Sequence, residues 1–385
     1  MAPRTKEELI SYGVMDPAMT AELARNPVRG PQPSDPYYGR NDFPAWRAHR
    51  AATLREKHHL RYVPGAIPEE VGEEDLKIAT RDGAEIVVRI YRPRNPPSPN
   101  GGGGGSPLIV MYHEGAWSMG DLTDEETNCR LFCRDLGAVC VNVEYRLAPE
   151  HPFPTWINDS WDALQWAAQN AASLGADPSR GFIVGGGSAG GNIAAVLAHI
   201  ARDEGLSPPL TGQYLCVPAI TCFLPPDEIP VQYRSEYLNH PSLTPNKDPV
   251  LIADENSQGS LMALLSGDIA SPLMVPFHYG KSAKGHAGVP PVYFQVCGLD
   301  PLRDEALIYE RILKEEADVK TKLDLYPGFG HYFWTNFPLL KQSREFVEDT
   351  VKGDVDLRIP SGAETKQSLD LLGRLFKLGS VVGLL

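Results

Sequence analysis

The chain has 385 residues, of which 42% are apolar and 22% are charged, the balance of an ordinary globular protein. Its 49 acidic residues outnumber its 36 basic residues and give a formal net charge of −13. This acidity argues against nucleic acid and against anionic membrane surfaces as main partners. No stretch reaches the roughly 18 consecutive apolar residues that a membrane span requires, so no membrane span is predicted.

The N-terminus and the cysteines predict a cytoplasmic protein. Met1 to Ile10 contain no apolar run, which argues against a secretory signal. The six cysteines include no Cys-x-x-Cys pair, and no second pair of ligands accompanies Cys129 and Cys133 to complete a zinc site. We therefore expect buried, reduced thiols, with neither a metal nor a cofactor.

In the first seventy residues no strand pattern occurs, and two helices are predicted, at about residues 16–25 and 43–59. Alternating apolar and polar residues then flank Asp82-Gly83, which predicts an antiparallel hairpin with a type I′ turn. Residues 95–106 form a low-complexity loop of proline, glycine and serine.

Strands and helices alternate along the rest of the chain, which is typical of a parallel sheet covered on both faces. Residues 221–288, rich in proline, tyrosine and polar residues, interrupt this alternation and predict an insertion. Together with the N-terminal helices, the insertion is expected to build a cap over the sheet. The predicted units are 1–70 (N-terminal helices of the cap), 71–220 (first part of the core), 221–288 (cap insertion), 289–353 (second part of the core) and 354–385 (tail).

The tail contains a predicted amphipathic helix. Leu371, Leu375 and Val382 share its apolar side, while Asp370 and Lys377 share the polar side. We expect this helix to dock on its own domain. A homodimer contact or a membrane-surface contact is the alternative.

The strongest chemical signal is the sequence GGGSAGG at residues 185–191, directly between a predicted strand and a predicted helix. Gly186, Ser188 and Gly190 fit G-x-S-x-G, in which glycines make room for a sharp turn that lifts the serine hydroxyl above the sheet edge. The helix N-terminus there favours negative charge on a bound substrate. Ser188 is the predicted nucleophile, and a phosphate-binding loop is the alternative for this glycine run.

A serine hydroxyl needs a base and an oriented imidazole to act as a nucleophile. His331, the last histidine of the chain, follows the final predicted strand, and Asp300 follows the strand at 292–296. Both residues lie at carboxyl ends of parallel strands, where open α/β sheets place their sites. We predict a triad of Ser188, Asp300 and His331, with Asp304 as the alternative acid or as a cap of the next helix.

The turn after the first core strand is the predicted oxyanion hole, since a glycine-rich turn there presents backbone N–H groups to a carbonyl oxygen that gains charge. The predicted donors are Gly115, Ala116 and, beside the nucleophile, Ala189. His113 is expected to brace this turn, and Trp117 is a candidate residue of the substrate pocket. A plain strand-ending turn is the alternative.

Taken together, these motifs resemble the hormone-sensitive-lipase-like family of esterases and lipases. That family carries HGGG, YRLAPE, G-D/E-S-A-G-G, D-x-x-x-D and a late histidine. This chain has HEGA at 113–116, YRLAPE at 145–150, GGSAGG at 186–191 and DPLRD at 300–304. The resemblance covers about residues 76–351. It implies an α/β-hydrolase fold, with a mostly parallel central sheet flanked by helices, a helical cap and the activity of a serine carboxylesterase.

Three positions depart from the family pattern. Glu114 replaces the first glycine of HGGG, Ala116 replaces the third, and Gly187 stands where the family usually has an acid. An alanine still offers its N–H, so the oxyanion hole is expected to survive unless that position requires a positive φ. None of the three departures removes a member of the triad.

The leading hypothesis is a serine carboxylic ester hydrolase that acts through an acyl-enzyme on short- to medium-chain or small-molecule esters. A natural-product tailoring hydrolase, a lactonase or an acyltransferase with the same triad is the alternative, because the exclusion of water decides the acceptor. A non-catalytic small-molecule receptor is a third hypothesis. The plant gibberellin receptors resemble this family but lack the histidine, so His331 argues against that role.

Overall fold

A computed structural model describes residues 4–28, 42–57, 70–96, 105–244 and 247–357 of the chain. The strands are β1 (Val71–Ala79), β2 (Glu85–Pro93), β3 (Leu108–Tyr112), β4 (Val139–Glu144), β5 (Phe182–Gly187), β6 (Gly212–Cys216), β7 (Val292–Cys297) and β8 (Thr321–Tyr326). The helices are α1 (Lys6–Tyr12), α2 (Pro17–Arg25), α3 (Phe43–Lys57), α4 (Glu126–Leu136), α5 (Thr155–Leu174), α6 (Ala189–Glu204), α7 (Ser257–Leu265), α8 (Arg303–Glu315), α9 (Phe333–Asn336) and α10 (Lys341–Leu357).

All eight strands form one sheet in the order β1-β2-β4-β3-β5-β6-β7-β8. Pairing is antiparallel from β1 to β4 and parallel from β4 to β8. Alternate residues of β3 enter two separate cores: Val110 belongs to the core that contains residues of α5, α6 and α8, whereas Ile109 belongs to the core that contains residues of α4 and α10. Helices thus cover both faces, and the predicted fold, an α/β hydrolase with a mostly parallel sheet, is confirmed.

The hairpin between β1 and β2 forms, but the predicted type I′ turn is wrong. A type I′ turn requires positive φ at both central residues, whereas only Gly83 of this turn has a positive φ, 83°. The Gly83 N–H donates to the carbonyl of Thr80, and the Thr80 N–H donates to the carbonyl of Ala84. The loop therefore has three residues. The Asp82 carboxylate holds it by accepting from the Thr80 hydroxyl at 2.7 Å and the Ala84 N–H at 3.2 Å.

Strand β6 has no counterpart in the sequence predictions. Its five residues, GQYLC, are all buried and show neither alternation nor a run of branched apolar side chains. Two of its polar side chains donate within the protein: Gln213 to the carbonyl of Pro290 at 2.9 Å, and the Tyr214 hydroxyl to Gln295 at 2.7 Å. Tertiary hydrogen bonds therefore make a strand of a segment whose own pattern does not predict one.

Predictions from the sequence also concern the C-terminal tail, the cysteines and membrane spans. The predicted tail helix, residues 370–382, lies outside the described residues, and α10 is the last element within them. All six cysteines are buried and none of them is in a disulfide, which confirms that part of the prediction. Within the described ranges, the structure contains no helix that is both long and apolar enough to cross a membrane.

Candidate active site

Ser188 stands between the end of β5 and the first residue of α6, in a sharp turn with φ 53° and ψ −113°. Its N–H donates to the carbonyl of Cys216 on β6 at 2.9 Å, which ties the turn to the neighbouring strand. Gly186 and Gly190 approach the carbonyl of Tyr112 so closely that a Cβ at either position would overlap it. The G-x-S-x-G spacing is therefore a steric requirement of this turn.

The structure brings His331 and Asp300 to this serine. His331 Nε2 lies 3.0 Å from the Ser188 hydroxyl oxygen, and His331 Nδ1 lies 2.7 Å from Asp300 Oδ2. The other oxygen of Asp300 accepts from the Leu302 N–H at 2.9 Å. Burial alone would lower the pKa of His331, but the charge and hydrogen bond of Asp300, together with the charges of Asp248 and Glu114, outweigh it, so the pKa of His331 is raised.

Asp304, the alternative acid, lies in a different place. Its side chain is fully buried, and one oxygen accepts from the backbone N–H groups of Leu238, at 2.7 Å, and Asn239, at 2.5 Å. The other oxygen accepts from Arg303 at 2.7 Å. Asp304 therefore neither contacts His331 nor caps its own helix; it anchors part of the 221–288 insertion to α8.

The turn after β3 has an unusual backbone, because three consecutive residues have positive φ: Gly115 at 118°, Ala116 at 50° and Trp117 at 56°. A Cβ at Gly115 would overlap the carbonyl of Met119, so only glycine fits there. None of the described residues accepts a hydrogen bond from the N–H of Gly115, Ala116 or Ala189. These three N–H groups thus remain available as donors.

His113 and Trp117 support this turn from inside the protein. His113 is fully buried, its Nδ1 lies 2.7 Å from the carbonyl of Glu114, and its ring stacks on Tyr145 at 4.1 Å. Burial lowers the pKa of His113, which keeps the ring neutral. Trp117 is 1% exposed and packs against Trp156. It therefore packs inside the protein, and its role as a residue of the substrate pocket stays a prediction.

Comparisons with known proteins agree with this geometry. A family described as alpha/beta hydrolase fold matches residues 109–335. The chain belongs to the α/β-hydrolase fold family. Versiconal hemiacetal acetate esterase of Dothistroma septosporum is 35% identical over 281 residues, 73% of this chain and 80% of that protein. Carboxylesterase NlhH of Mycobacterium tuberculosis is 36% identical over 291 residues, 75% of this chain and 82% of that protein.

Among solved structures, vibralactone cyclase matches with a TM-score of 0.75 at 31% identity, over 90% of this chain and 96% of that chain. The predicted membership of the hormone-sensitive-lipase-like, carboxylesterase branch is confirmed by these relatives. This α/β hydrolase is accordingly an enzyme of the carboxylesterase type, a class in which a serine mechanism is typical.

The first departure of this hydrolase from its family, Glu114, is part of a partly buried ion pair. Arg50 of α3 donates to Glu114 at 2.6 Å and to Asp124 at 3.0 Å. Burial and the charge of Asp124 raise the pKa of Glu114 to about 7, although Arg50 acts in the opposite direction. Sequence analysis did not identify Arg50 as a residue of this site. Its only signal is that it follows Arg47 by three residues, on the same face of a predicted helix.

Arg47 reaches the same turn from the same helix. Its guanidinium donates to the carbonyl of Ser118 at 2.7 Å and to that of Ala148 at 2.6 Å, and it pairs with Glu150 at 2.7 Å. Two arginines of α3 therefore hold the outer side of the turn that carries Gly115.

A single neighbour, Tyr332, explains why position 187 carries glycine instead of the family acid. A Cβ at this position would overlap the hydroxyl of Tyr332, the residue after His331. Burial, with the charges of Glu114 and Glu125 adding to it, raises the pKa of the Tyr332 hydroxyl, so the hydroxyl stays protonated. The family acid would therefore meet both a steric clash and two carboxyl groups at this position.

We expect Ala116→Gly to stabilise the protein by about 1 kcal/mol, because glycine adopts a φ of 50° without the strain that a Cβ imposes. The measurement is the free energy of unfolding in urea. The matched control is Ala168→Gly within α5, which should cost about 1 kcal/mol because helical alanine is favoured there. A loss of stability in Ala116→Gly would contradict the strained turn.

A double-mutant cycle tests the packing of Gly187. Gly187→Ala should destabilise the wild-type protein by about 1–3 kcal/mol through overpacking, and by clearly less in a Tyr332→Phe background that lacks the hydroxyl. Gly72→Ala in β1 is the control, since a Cβ there would meet only an ordinary contact at 3.8 Å. Equal losses in both backgrounds would show that Tyr332 is not the obstacle.

Proposed function

We propose that this α/β hydrolase is a serine carboxylic ester hydrolase that acts through an acyl-enzyme on short- to medium-chain or small-molecule esters. The single observation that carries the proposal is the hydrogen-bonded series from Ser188 to His331, at 3.0 Å, and from His331 to Asp300, at 2.7 Å. The ester substrates named for the relatives support the substrate class.

The reaction follows from the groups that surround the serine. Ser188 Oγ attacks the ester carbonyl carbon as its proton passes to His331 Nε2, while Asp300 holds the imidazole and stabilises its positive charge. The tetrahedral intermediate then collapses, the C–O bond to the alcohol breaks, and His331 returns the proton to the departing alcohol. Water, activated by the same imidazole, cleaves the acyl-enzyme and restores the Ser188 hydroxyl.

The N–H groups of Gly115, Ala116 and Ala189 are proposed as the donors to the oxyanion. Two observations support this assignment: none of the described residues accepts from them, and Ala189 is the first residue of α6, where the helix dipole favours negative charge. Such donors contribute to catalysis because the backbone fixes their direction before the charge develops.

Acyl transfer or lactone formation is the second candidate, and one observation favours it. The structural match to vibralactone cyclase covers nearly the whole of both chains. Ser188 is 9% exposed and His331 is 6% exposed, so little water reaches the serine in this conformation. An acyl-enzyme sheltered in this way can pass its acyl group to a hydroxyl other than that of water.

The predicted cytoplasmic location stays a proposal, supported by six buried cysteines that form no disulfide with one another. Fractionation of the source cells tests it.

Ser188→Ala should abolish hydrolysis of p-nitrophenyl esters, with a fall in kcat on the order of 10⁴-fold or more, because the hydroxyl is the attacking atom. The measurement is a chain-length series from acetate to palmitate, on which the wild type should favour the short and medium chains. Ser173→Ala, at an exposed serine of α5, is the control. Adding a primary alcohol and measuring the transferred ester separates hydrolysis from acyl transfer.

A folded wild type that is inactive on every chain length would contradict a general esterase and favour the acyl-transfer candidate. Ser188→Ala with unchanged activity would exclude the proposed nucleophile.

The pH profile gives a separate prediction. Catalysis requires neutral His331, so kcat/KM should fall as the pH decreases through the pKa of His331, and this acid limb should have its midpoint above the ordinary value of 6.5. Because burial raises the pKa of Glu114 to about 7, Glu114→Gln is measured in parallel to separate its titration from that of His331. A wild-type midpoint at or below 6.5 would contradict the raised pKa.

A further inference from the structure

Asp248, in the 221–288 insertion, contacts the backbone of His331 directly. Asp248 Oδ2 accepts from the His331 N–H at 2.5 Å, and Oδ1 accepts from the N–H groups of Val250, at 2.7 Å, and Leu251, at 3.1 Å. The side chain of Asp248 is buried, as its residue is only 5% exposed. A single carboxylate therefore joins a turn of the insertion to the backbone of the proposed base.

This contact depends on the glycine that precedes His331. A Cβ at Gly330 would lie 2.7 Å from Asp248 Oδ1 and 2.9 Å from Oδ2, which is too close for an undisturbed side chain. The φ of Gly330 is not positive, so the requirement for glycine arises from the approach of the carboxylate. Gly330 and Asp248 are thus matched in size to each other, and this contact is separate from those of the triad and of the oxyanion turn.

Three carboxyl groups from three separate elements face His331: Asp300 after β7, Asp248 from the insertion and Glu114 from the turn after β3. Each of them favours the protonated imidazole, and burial opposes it. Burial and the charge of Asp300 raise the pKa of Asp248 to about 6, while the charge of His331 and the hydrogen bonds from the backbone act in the opposite direction. Asp248 is therefore mainly ionised only above about pH 6.

We propose that Asp248 is a positioning residue of His331, whose carboxylate fixes the backbone of the base and whose charge stabilises the imidazolium that forms when Ser188 attacks. This inference rests on the proposed function, since it takes His331 as the base. Because Asp248 belongs to the insertion, the reactivity of the base depends on the insertion being seated against the 330–331 backbone. The insertion thereby takes part in the proposed chemistry through Asp248.

The test compares Asp248→Asn with the wild type. Asparagine keeps the size of the side chain and one acceptor oxygen but removes the charge. We expect kcat for p-nitrophenyl acetate to fall on the order of 10- to 100-fold with KM little changed. We also expect the acid limb of kcat/KM to move to lower pH by about one unit, because a favourable charge near the imidazolium is lost.

The matched control is Asp268→Asn. Asp268 also lies in the insertion and accepts a backbone N–H, that of Ala270, at 3.0 Å, but it is exposed. Its removal should leave kcat and the acid limb unchanged, so a loss confined to Asp248→Asn reports on the contact with His331.

Gly330→Ala provides a second route if Asp248→Asn does not fold. The added methyl group should displace the Asp248 carboxylate from the His331 N–H and lower kcat with a similar shift of the acid limb. The pKa of His331 is read independently of turnover from its imidazole Cε1–H signal in an NMR titration, assigned by the loss of that signal in His331→Gln.

Two outcomes overturn different claims. Folded Asp248→Asn and Gly330→Ala with wild-type kcat, acid limb and imidazole pKa would overturn the role of Asp248. A wild type that hydrolyses no ester, but whose imidazole pKa still falls in Asp248→Asn, would overturn the proposed function while supporting the coupling between Asp248 and His331.

Discussion

A carboxylate withdrawn from water must find donors for its oxygens within the protein, and Asp300 is 1% exposed. It meets this requirement through the imidazole of His331 and the N–H of Leu302. The imidazole of His331 also reaches Ser188. The hydrogen bond that satisfies the buried Asp300 carboxylate therefore also fixes the orientation of His331, the proposed base. This arrangement requires three segments to meet within hydrogen-bond distance: the turn at Ser188, the loop after β7 and the loop after β8. They meet because β5, β6, β7 and β8 are parallel neighbours, so their carboxyl ends lie at one edge of the sheet.

The same use of carboxylates recurs where the insertion meets the core. Asp304 and Glu305, adjacent on α8, accept from backbone N–H groups at Leu238 and Ile220. In the third contact the carboxylate belongs to the insertion: Asp248 accepts from the backbone N–H of His331 in the core. Backbone N–H groups cannot shift independently of their segment, so a carboxylate that accepts from them defines position more strictly than contact between flexible side chains does. The insertion is therefore joined to the core by directional bonds at the acid and histidine loops, the places where the chemistry is proposed to occur.

Sequence reasoning reached the fold and singled out Ser188, Asp300 and His331, because both depend on local patterns: alternation of elements, a glycine-flanked serine at a strand end, and polar residues after later strands. What it missed depends on contacts between distant segments. Strand β6 lacks a pattern of its own and exists through pairing with β5 and β7. Asp248 is one aspartate in a polar stretch, with no motif to distinguish it from Asp254 or Asp268. Asp304 lies only four residues after Asp300, so the sequence does not distinguish their roles. Their hydrogen-bond partners do: Asp300 binds the imidazole of His331, whereas Asp304 binds the backbone of the insertion.

Two of the three departures from the family pattern, Glu114 and Gly187, are connected through the side chain of Tyr332. Glu114 pairs with Arg50, and Tyr332 lies close enough to Glu114 and Glu125 for their charges to raise its pKa. The Tyr332 hydroxyl fills the space that a side chain at position 187 would require. Burial raises the pKa of Glu125 to about 8, so this neighbour of position 187 resists ionisation. A further acid at position 187 would add charge where Arg50 already balances two carboxylates, Glu114 and Asp124. Glycine at 187 and glutamate at 114 are thus compatible with each other and with Tyr332, and the acid of the family pattern would fit only if that tyrosine were also replaced.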